Sequence, residues 1–166
     1  FTERRVINST IDSAGFFSFK PSILSTTDTY LRVKGMEAVF YLAPNKEYSI
    51  VLHSDKNELK IQFAFDDPND INNVIKEFNS TYNQVVSDNI SGYKIKNTAK
   101  VDSAVNYLET AYFNRGDPFL DTYCRYKLAF LEQISHKKRK GLFHQKYFGP
   151  GTLNPEHPEC MNFINQ

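Results

Sequence analysis

Tryptophan is absent from this sequence, and cysteine, glycine and proline are scarce, with two, seven and seven residues among 166. The low glycine and proline content excludes collagen-like and low-complexity chains, and an aromatic content of 14% excludes intrinsic disorder. A formal net charge of +1 leaves no strong overall field for a polyanion or an anionic membrane surface. No run of 18 apolar residues occurs, so the sequence predicts no membrane-spanning helix within these residues.

The length is that of one domain with its own hydrophobic core, so we expect a single α+β domain over residues 1–166. Residues 1–66 should be mainly strands, residues 67–140 mainly helices, and residues 141–166 an irregular tail. Because the chain begins at Phe1 rather than at a methionine, we also expect a signal peptide or a membrane anchor upstream of it.

The N-terminal part has the period-2 alternation of half-buried β-strands. The clearest alternating runs are 30–34, 36–42, 48–53 and 59–65. Turn-forming residues at 43–46 and 54–57 separate the last three of these runs. This arrangement predicts an antiparallel meander that forms a curved sheet or a partial barrel, with one face towards water. Residues 4–11 and 16–19 are shorter strand candidates.

Apolar residues then recur at helical spacing over residues 67–88. Asp67 is a suitable N-cap for this helix, and Pro68 suits the first helical position. The apolar stripe includes Phe78, through which we expect the helix to pack on the meander.

Two further helices are predicted, so that about three helices cover the sheet. One begins at Asp102 or Ser103, and the next begins at Asp117, which precedes a proline as Asp67 does. Residues 123–131 also alternate, so a strand remains an alternative there. The basic residues before Gly141 are typical of a helix end, since cations favour that end and glycine favours the left-handed cap.

Cys124 falls in a predicted helix and Cys160 falls in the proline- and asparagine-rich tail. We expect a disulfide between them that staples the tail, because closing such a loop stabilises a fold by about 3–4 kcal/mol. The bond would place the chain in an oxidising compartment, which is the periplasm, the cell surface or the exterior. The alternative is two reduced cysteines that are buried as small hydrophobes.

One run of charge stands out, and it consists of Lys137, Lys138, Arg139 and Lys140. It is a candidate docking patch for an acidic protein partner, or simply the solvated end of a helix. The near-neutral charge of the whole chain argues against nucleic acid as the partner.

No motif of known chemistry is complete. The triplet from His157 to Glu159 has the H-x-E form of zinc deaminases, but the second pair of ligands is missing because no cysteine follows Cys160. Histidines at 136 and 144 add no recognised ligand spacing. Phosphate-binding loops and nucleophile motifs are also absent. We therefore predict no catalytic residue, no metal and no cofactor.

The aromatic residues of the strand half supply the remaining functional hypothesis. The candidate contacts are Phe16, Phe17, Phe40, Tyr41 and Tyr48. They could form the core, line a pocket for a small apolar ligand, or contact a protein. We expect a non-catalytic, extracytoplasmic recognition domain that binds a protein partner or such a ligand, for example a sensor accessory subunit, an inhibitor or an immunity-type protein. The alternative is a small hydrolase whose histidine and acidic residues meet only in the fold.

Overall fold

The structure is a computed structural model that describes residues 6–55, 58–91, 94–95, 97–135, 140–150 and 154–165. These residues form an α+β fold. In chain order its elements are β1 (Thr27–Val33), β2 (Met36–Leu42), β3 (Ser49–Asp55), β4 (Glu58–Ala64), α1 (Ile71–Asn89), β5 (Ile90–Ser91), β6 (Lys94–Ile95), α2 (Thr98–Tyr112), α3 (Pro118–Ser135), α4 (Lys140–Phe148) and α5 (Pro158–Ile164).

The described strands pair as separate antiparallel hairpins. Hairpin 1 joins β1 to β2 through a two-residue turn, in which Lys34 and Gly35 both have positive φ angles of 46° and 81°. Such a turn matches the natural twist of paired strands. Hairpin 2 joins β3 to β4, and its turn residues 56–57 lie outside the described part of the chain. A short third hairpin, β5–β6, follows α1.

The predicted meander, curved sheet and partial barrel are wrong, because β2 and β3 do not pair. In the connection between β2 and β3, Asn45 has a φ of 59° and the Ala43 N–H donates to the Tyr48 hydroxyl at 3.1 Å. The hairpins instead contact each other through side chains. The ring of Phe40 lies 4.8 Å from that of Phe63, centroid to centroid. The predicted runs 30–34, 36–42, 48–53 and 59–65 match β1 to β4 to within three residues, but alternation does not encode which strands pair.

The segment before β1 has neither helix nor strand over residues 6–26. The strands predicted at 4–11 and 16–19 are therefore absent, and residues 4 and 5 lie outside the described part. The segment contains one tight turn, in which the Asp12 carboxylate accepts hydrogen bonds from the N–H groups of Ala14 and Phe16, each at 2.9 Å.

Helix α1 begins one turn later than Asp67. Its N-cap is Asp70, whose carboxylate accepts from the Asn72 N–H at 2.9 Å. Asp67 instead accepts from the Asn69 N–H at 2.8 Å and pairs with Lys46 at 3.1 Å. Two aspartates three residues apart are both competent caps, and packing on the rest of the fold selects the second.

The main core lies between α1, α2 and α3. Phe78 is fully buried there, with its ring edge-to-face on Tyr112 at 5.3 Å and on Tyr123 at 6.0 Å. The prediction that α1 packs on a sheet through Phe78 is therefore wrong, since these partners lie on helices. Helix α2 begins at Thr98, ahead of the predicted Asp102, with Asn97 as its N-cap.

Helix α3 confirms the predicted start, because the Asp117 carboxylate accepts from the N–H groups of Phe119 and Leu120. The strand alternative at 123–131 is excluded by the helix. This helix is buried on two sides. One side joins the main core and the other forms a second core with α4 and α5; the buried members of that second core are Tyr126, Ala129, Tyr147, Cys160 and Phe163.

The tail that was expected to be irregular contains α4 and α5. Gly141, predicted to end a helix, lies in the first turn of α4. Aromatic side chains supply the apolar contact that orders this region: the ring of Phe143 lies 4.9 Å from that of Tyr147, and Phe148 stacks on Phe163 at 5.5 Å.

Cys124 and Cys160 are both buried and unbonded, so the predicted disulfide is wrong. Cys124 belongs to the main core, whereas Cys160 packs in the second core beside Tyr126. Side chains two residues apart on a helix point about 200° apart, so Cys124 and Tyr126 face opposite sides of α3. Because Cys160 packs beside Tyr126, α3 lies between the two thiols. Burial raises the pKa of Cys124 to about 12. The oxidising compartment predicted from this bond, whether periplasm, cell surface or exterior, is wrong with it.

Within the described residues, no helix has the length and apolar character to cross a membrane.

Phe78→Ala should lower the free energy of unfolding by about 3–5 kcal/mol, because it leaves a cavity among three helices. Chemical denaturation followed by circular dichroism measures this loss. Lys76→Ala is the control, since Lys76 is exposed on the same helix and should change stability by no more than about 0.5 kcal/mol. Equal effects from the two changes would show that α1 buries a different face.

Candidate functional site

Hairpin 1 is held against the helices by a side-chain amide. Tyr41 in β2 donates its N–H to the Asn72 Oδ1 at 2.7 Å, and its carbonyl accepts from the Asn72 Nδ2 at 2.8 Å. Asn72 is buried in the first turn of α1, where its Nδ2 also donates to Asp70 at 2.8 Å. The amide therefore takes the place of a neighbouring strand and closes the β2 edge at this point.

The ring of Tyr41 extends this attachment to α3. It lies 5.4 Å from the ring of Phe119 and 6.0 Å from that of Tyr123. The Tyr123 hydroxyl donates to the Asn79 Oδ1 at 3.0 Å and accepts from its Nδ2 at 2.8 Å. Burial raises the pKa of Tyr41 to about 12 and also raises the pKa of Tyr123, so both hydroxyls stay neutral at ordinary pH.

The opposite end of the same hairpin face is open to solvent. Tyr30 lies across from Val39, and the two side chains are 46% and 51% exposed. The next cross-strand pair is Arg32 with Glu37, in which the Arg32 Nε donates to the carboxylate at 3.0 Å. We call these four side chains the outer face of hairpin 1. It offers an apolar pair flanked by an ion pair.

Exposed apolar side chains are concentrated in the strand half of the molecule. Among the described residues, eight of the twelve large apolar side chains that are exposed lie within residues 6–39. These eight are Val6, Ile7, Ile11, Phe16, Leu24, Tyr30, Met36 and Val39. The helical half buries most of its apolar residues, so the apolar surface of this chain is local rather than general.

The five aromatic contacts predicted from the sequence are not gathered on one surface. Phe16 alone is strongly exposed, at 72%. Phe17 is half-buried and stacks on the ring of Phe19 at 6.4 Å. Phe40 is buried between the hairpins, Tyr41 belongs to the attachment described above, and Tyr48 is half-buried.

The predicted basic patch cannot be placed on this surface. Lys137, Lys138 and Arg139 lie outside the described residues, and Lys140 is the first residue of α4. Its role in docking an acidic partner stays a prediction.

His157 has a structural role as the N-cap of α5. Its Nδ1 accepts from the Glu159 N–H at 3.2 Å, and its Nε2 lies 3.1 Å from the Phe119 carbonyl, to which the neutral imidazole donates. Burial lowers the pKa of His157 to about 4. Both ring nitrogens are therefore engaged with the backbone and neither is placed for proton transfer to a substrate.

The other chemical groupings are sparse within the described part of the chain. His53 hydrogen-bonds to Gln62 at 3.2 Å, and no described histidine hydrogen-bonds to a carboxylate. No three His, Cys, Asp or Glu side chains among these residues converge as metal ligands. His136 lies outside them. The hydrolase alternative thus has no acid–base pair among the described side chains.

Comparison with protein-family models, with curated proteins and with solved structures found no match. No relative therefore supplies a function, and the chemistry of the surface is the guide to it.

Sequence reasoning missed Asn72, which attaches hairpin 1, and Asn79, which bonds the Tyr123 hydroxyl beneath it. Asn72 and Asn79 lie seven residues apart, next to the apolar stripe of α1 that contains Phe78. Polar residues at that spacing beside a buried stripe were the available signal, because a buried amide needs fixed partners.

Asn72→Leu should lower the free energy of unfolding by about 2–3 kcal/mol, because it leaves the Tyr41 N–H and carbonyl without partners. It should also speed hydrogen exchange at the Tyr41 amide, which mass spectrometry of peptides can measure. Asn83→Leu is the matched control, since Asn83 is exposed on the same helix. Unchanged exchange at Tyr41 would contradict the proposed closure of the β2 edge.

The stability of the fold should depend on pH through His157. Its folded pKa of about 4 lies below the ordinary value of 6.5, so the unfolded chain binds more protons between these limits. The contribution of the neutral ring is complete above about pH 6.5 and is lost as the pH falls towards about 4. His157→Asn keeps a capping side chain and should flatten this part of the curve.

Proposed function

We propose that this chain is a recognition domain that binds another protein through hairpin 1 and the segment before it. The observation that carries the proposal is the concentration of exposed apolar side chains within residues 6–39. Large exposed apolar side chains are typical of protein contact surfaces, and here most of them lie in one stretch of the chain.

The attachment of hairpin 1 supports this function. An isolated hairpin is marginally stable in water, but Asn72 and the ring of Tyr41 hold this one on the helices. The outer face is therefore presented in a fixed conformation, which reduces the ordering cost of binding.

The segment before β1 adds exposed apolar side chains that lie outside any helix or strand. Over residues 6–26 its backbone–backbone hydrogen bonds among the described residues lie within its own turn, from Asp12 to Phe16. Ile11, Phe16 and Leu24 remain exposed, and Leu24 is fully so. These side chains would gain the most from a protein that covers them.

A small apolar ligand is the less favoured occupant. The aromatic residues between the hairpins contact one another, with ring centroids 4.8 Å apart for Phe40 and Phe63 and 5.8 Å apart for Tyr48 and Phe65. Their side chains fill the space in which such a ligand would have bound.

The proposal can be tested by replacing Tyr30 with the photo-cross-linker p-benzoylphenylalanine. Irradiation should then produce a covalent adduct with a protein, either in an extract of the native source or in the purified chain. The same replacement at Tyr107 is the control, because Tyr107 is 60% exposed on α2 in the helical half. An absence of adducts from position 30, or the same adducts from both positions, would overturn the proposed function.

A further inference from the structure

A closed loop in the segment before β1 carries an exposed aromatic ring at its tip. At the base of the loop, the Ser9 hydroxyl donates to the Ser18 carbonyl at 2.9 Å. At the tip, the Asp12 N–H donates to the Phe16 carbonyl at 2.9 Å, and the Gly15 N–H donates to the Asp12 carbonyl at 3.0 Å. We call residues 9–18 the Phe16 loop.

The backbone at the tip of the Phe16 loop is fixed by its own hydrogen bonds. Gly15 has a φ of 88°, a conformation that glycine adopts without strain and that completes a three-residue turn. The Asp12 Oδ1 accepts from the N–H groups of Ala14 and Phe16, each at 2.9 Å. Both backbone groups of Phe16 are therefore bonded to Asp12, although the loop belongs to no helix or strand.

The side chain of Phe16 contributes little to the fold that holds it. It is 72% exposed, whereas Phe17 and Phe19 are half-buried and stack on each other at 6.4 Å. A large ring gains free energy in proportion to the apolar area that a partner covers. Because the backbone of Phe16 is already ordered, less of that gain is lost in ordering the loop on binding.

Shape and charge indicate what covers this ring. A single ring at the tip of a tight turn is convex, so the complementary surface is a pocket. Asp12 is the only charged residue in the sequence from 9 to 18, and its Oδ1 lies 2.9 Å from the Phe16 backbone nitrogen. A negative charge next to the ring disfavours an anionic membrane surface and favours a cation at the rim of a protein pocket.

We propose that Phe16 is the anchor of the interface, and that its ring enters an apolar pocket of the partner protein. An arginine or lysine at the rim of that pocket pairs with Asp12. This inference rests on the proposed function, because it names the residue and the kind of pocket by which the protein partner is recognised. Aromatic anchors in such pockets carry most of the binding energy of an interface.

The first test measures the affinity of the protein that position 30 cross-links to, after it has been identified by mass spectrometry and purified. Phe16→Ala should weaken its binding by about 30-fold or more. The variant keeps the backbone hydrogen bonds of the tip, and circular dichroism checks that it is folded. Tyr107→Ala is the matched control, since this aromatic side chain is exposed on α2 and should not affect binding.

The second test removes the charge of Asp12 and leaves the turn intact. Asp12→Asn keeps a side-chain oxygen that can accept from the N–H groups of Ala14 and Phe16. It should slow association with the same partner and flatten the dependence of that rate on ionic strength. Asp88→Asn, at an exposed position of α1, is the control and should leave both unchanged.

The third test reports on the surroundings of the ring itself. The chain contains no tryptophan, so Phe16→Trp introduces a single indole at the tip of the loop. Its fluorescence should shift to shorter wavelengths when the partner is added. Vesicles of phosphatidylcholine, with or without phosphatidylserine, should leave the emission unchanged, and a shift on vesicles would assign the loop to a membrane surface and overturn the inference.

A folded Phe16→Ala variant that binds normally would overturn the inference, as would a bound Phe16→Trp variant with unshifted emission. Unchanged association of Asp12→Asn would overturn the basic rim. If Phe16→Trp does not bind, Phe16→Ala decides the test. In each of these cases the wild-type chain still binds the protein captured at position 30, so the proposed function stands. If position 30 captures no protein, the proposed function and the inference have both failed.

Discussion

Helix α3 has to bury side chains on two opposite sides, and the other helices are arranged to meet that requirement. Its Leu128 faces α1 and α2 in the main core, while its Ala129 faces α4 and α5 in the second. A helix that is apolar on both sides cannot lie on a surface, so it must be covered twice. The C-terminal region is ordered for this reason, without a covalent bond to hold it.

The burial of α3 also determines where hairpin 1 is fixed. Phe119 and Tyr123, near the start of α3, contact the ring of Tyr41. Asn72 and Asn79 on α1 satisfy the polar groups that this contact buries. Leaving such groups unpaired would cost more than the apolar contact contributes, which is why each of the two tyrosines has an amide as its partner. The β2 edge is closed at Tyr41 as a consequence.

The aromatic content has two separate physical roles. Most of the rings form cores: Phe78 fills the space between three helices and Phe40 fills the space between the two hairpins. A smaller set, including Phe16 and Tyr30, remains exposed in the strand half. Counting aromatics in the sequence cannot separate these sets, because burial depends on which elements pack together and not on residue type.

The sequence by itself determined the elements whose signals are local. Alternation marked the strands of both hairpins, and Asp117 before a proline marked the start of α3, because side-chain direction and capping depend on neighbours in the chain. Tertiary structure decided the rest. It chose Asp70 over Asp67 as a cap, kept β2 from pairing with β3, and put α3 between Cys124 and Cys160. Tertiary structure also decided the attachment of hairpin 1 at Asn72. Each of these outcomes depends on contacts between residues far apart in the chain, so no local sequence pattern predicts them.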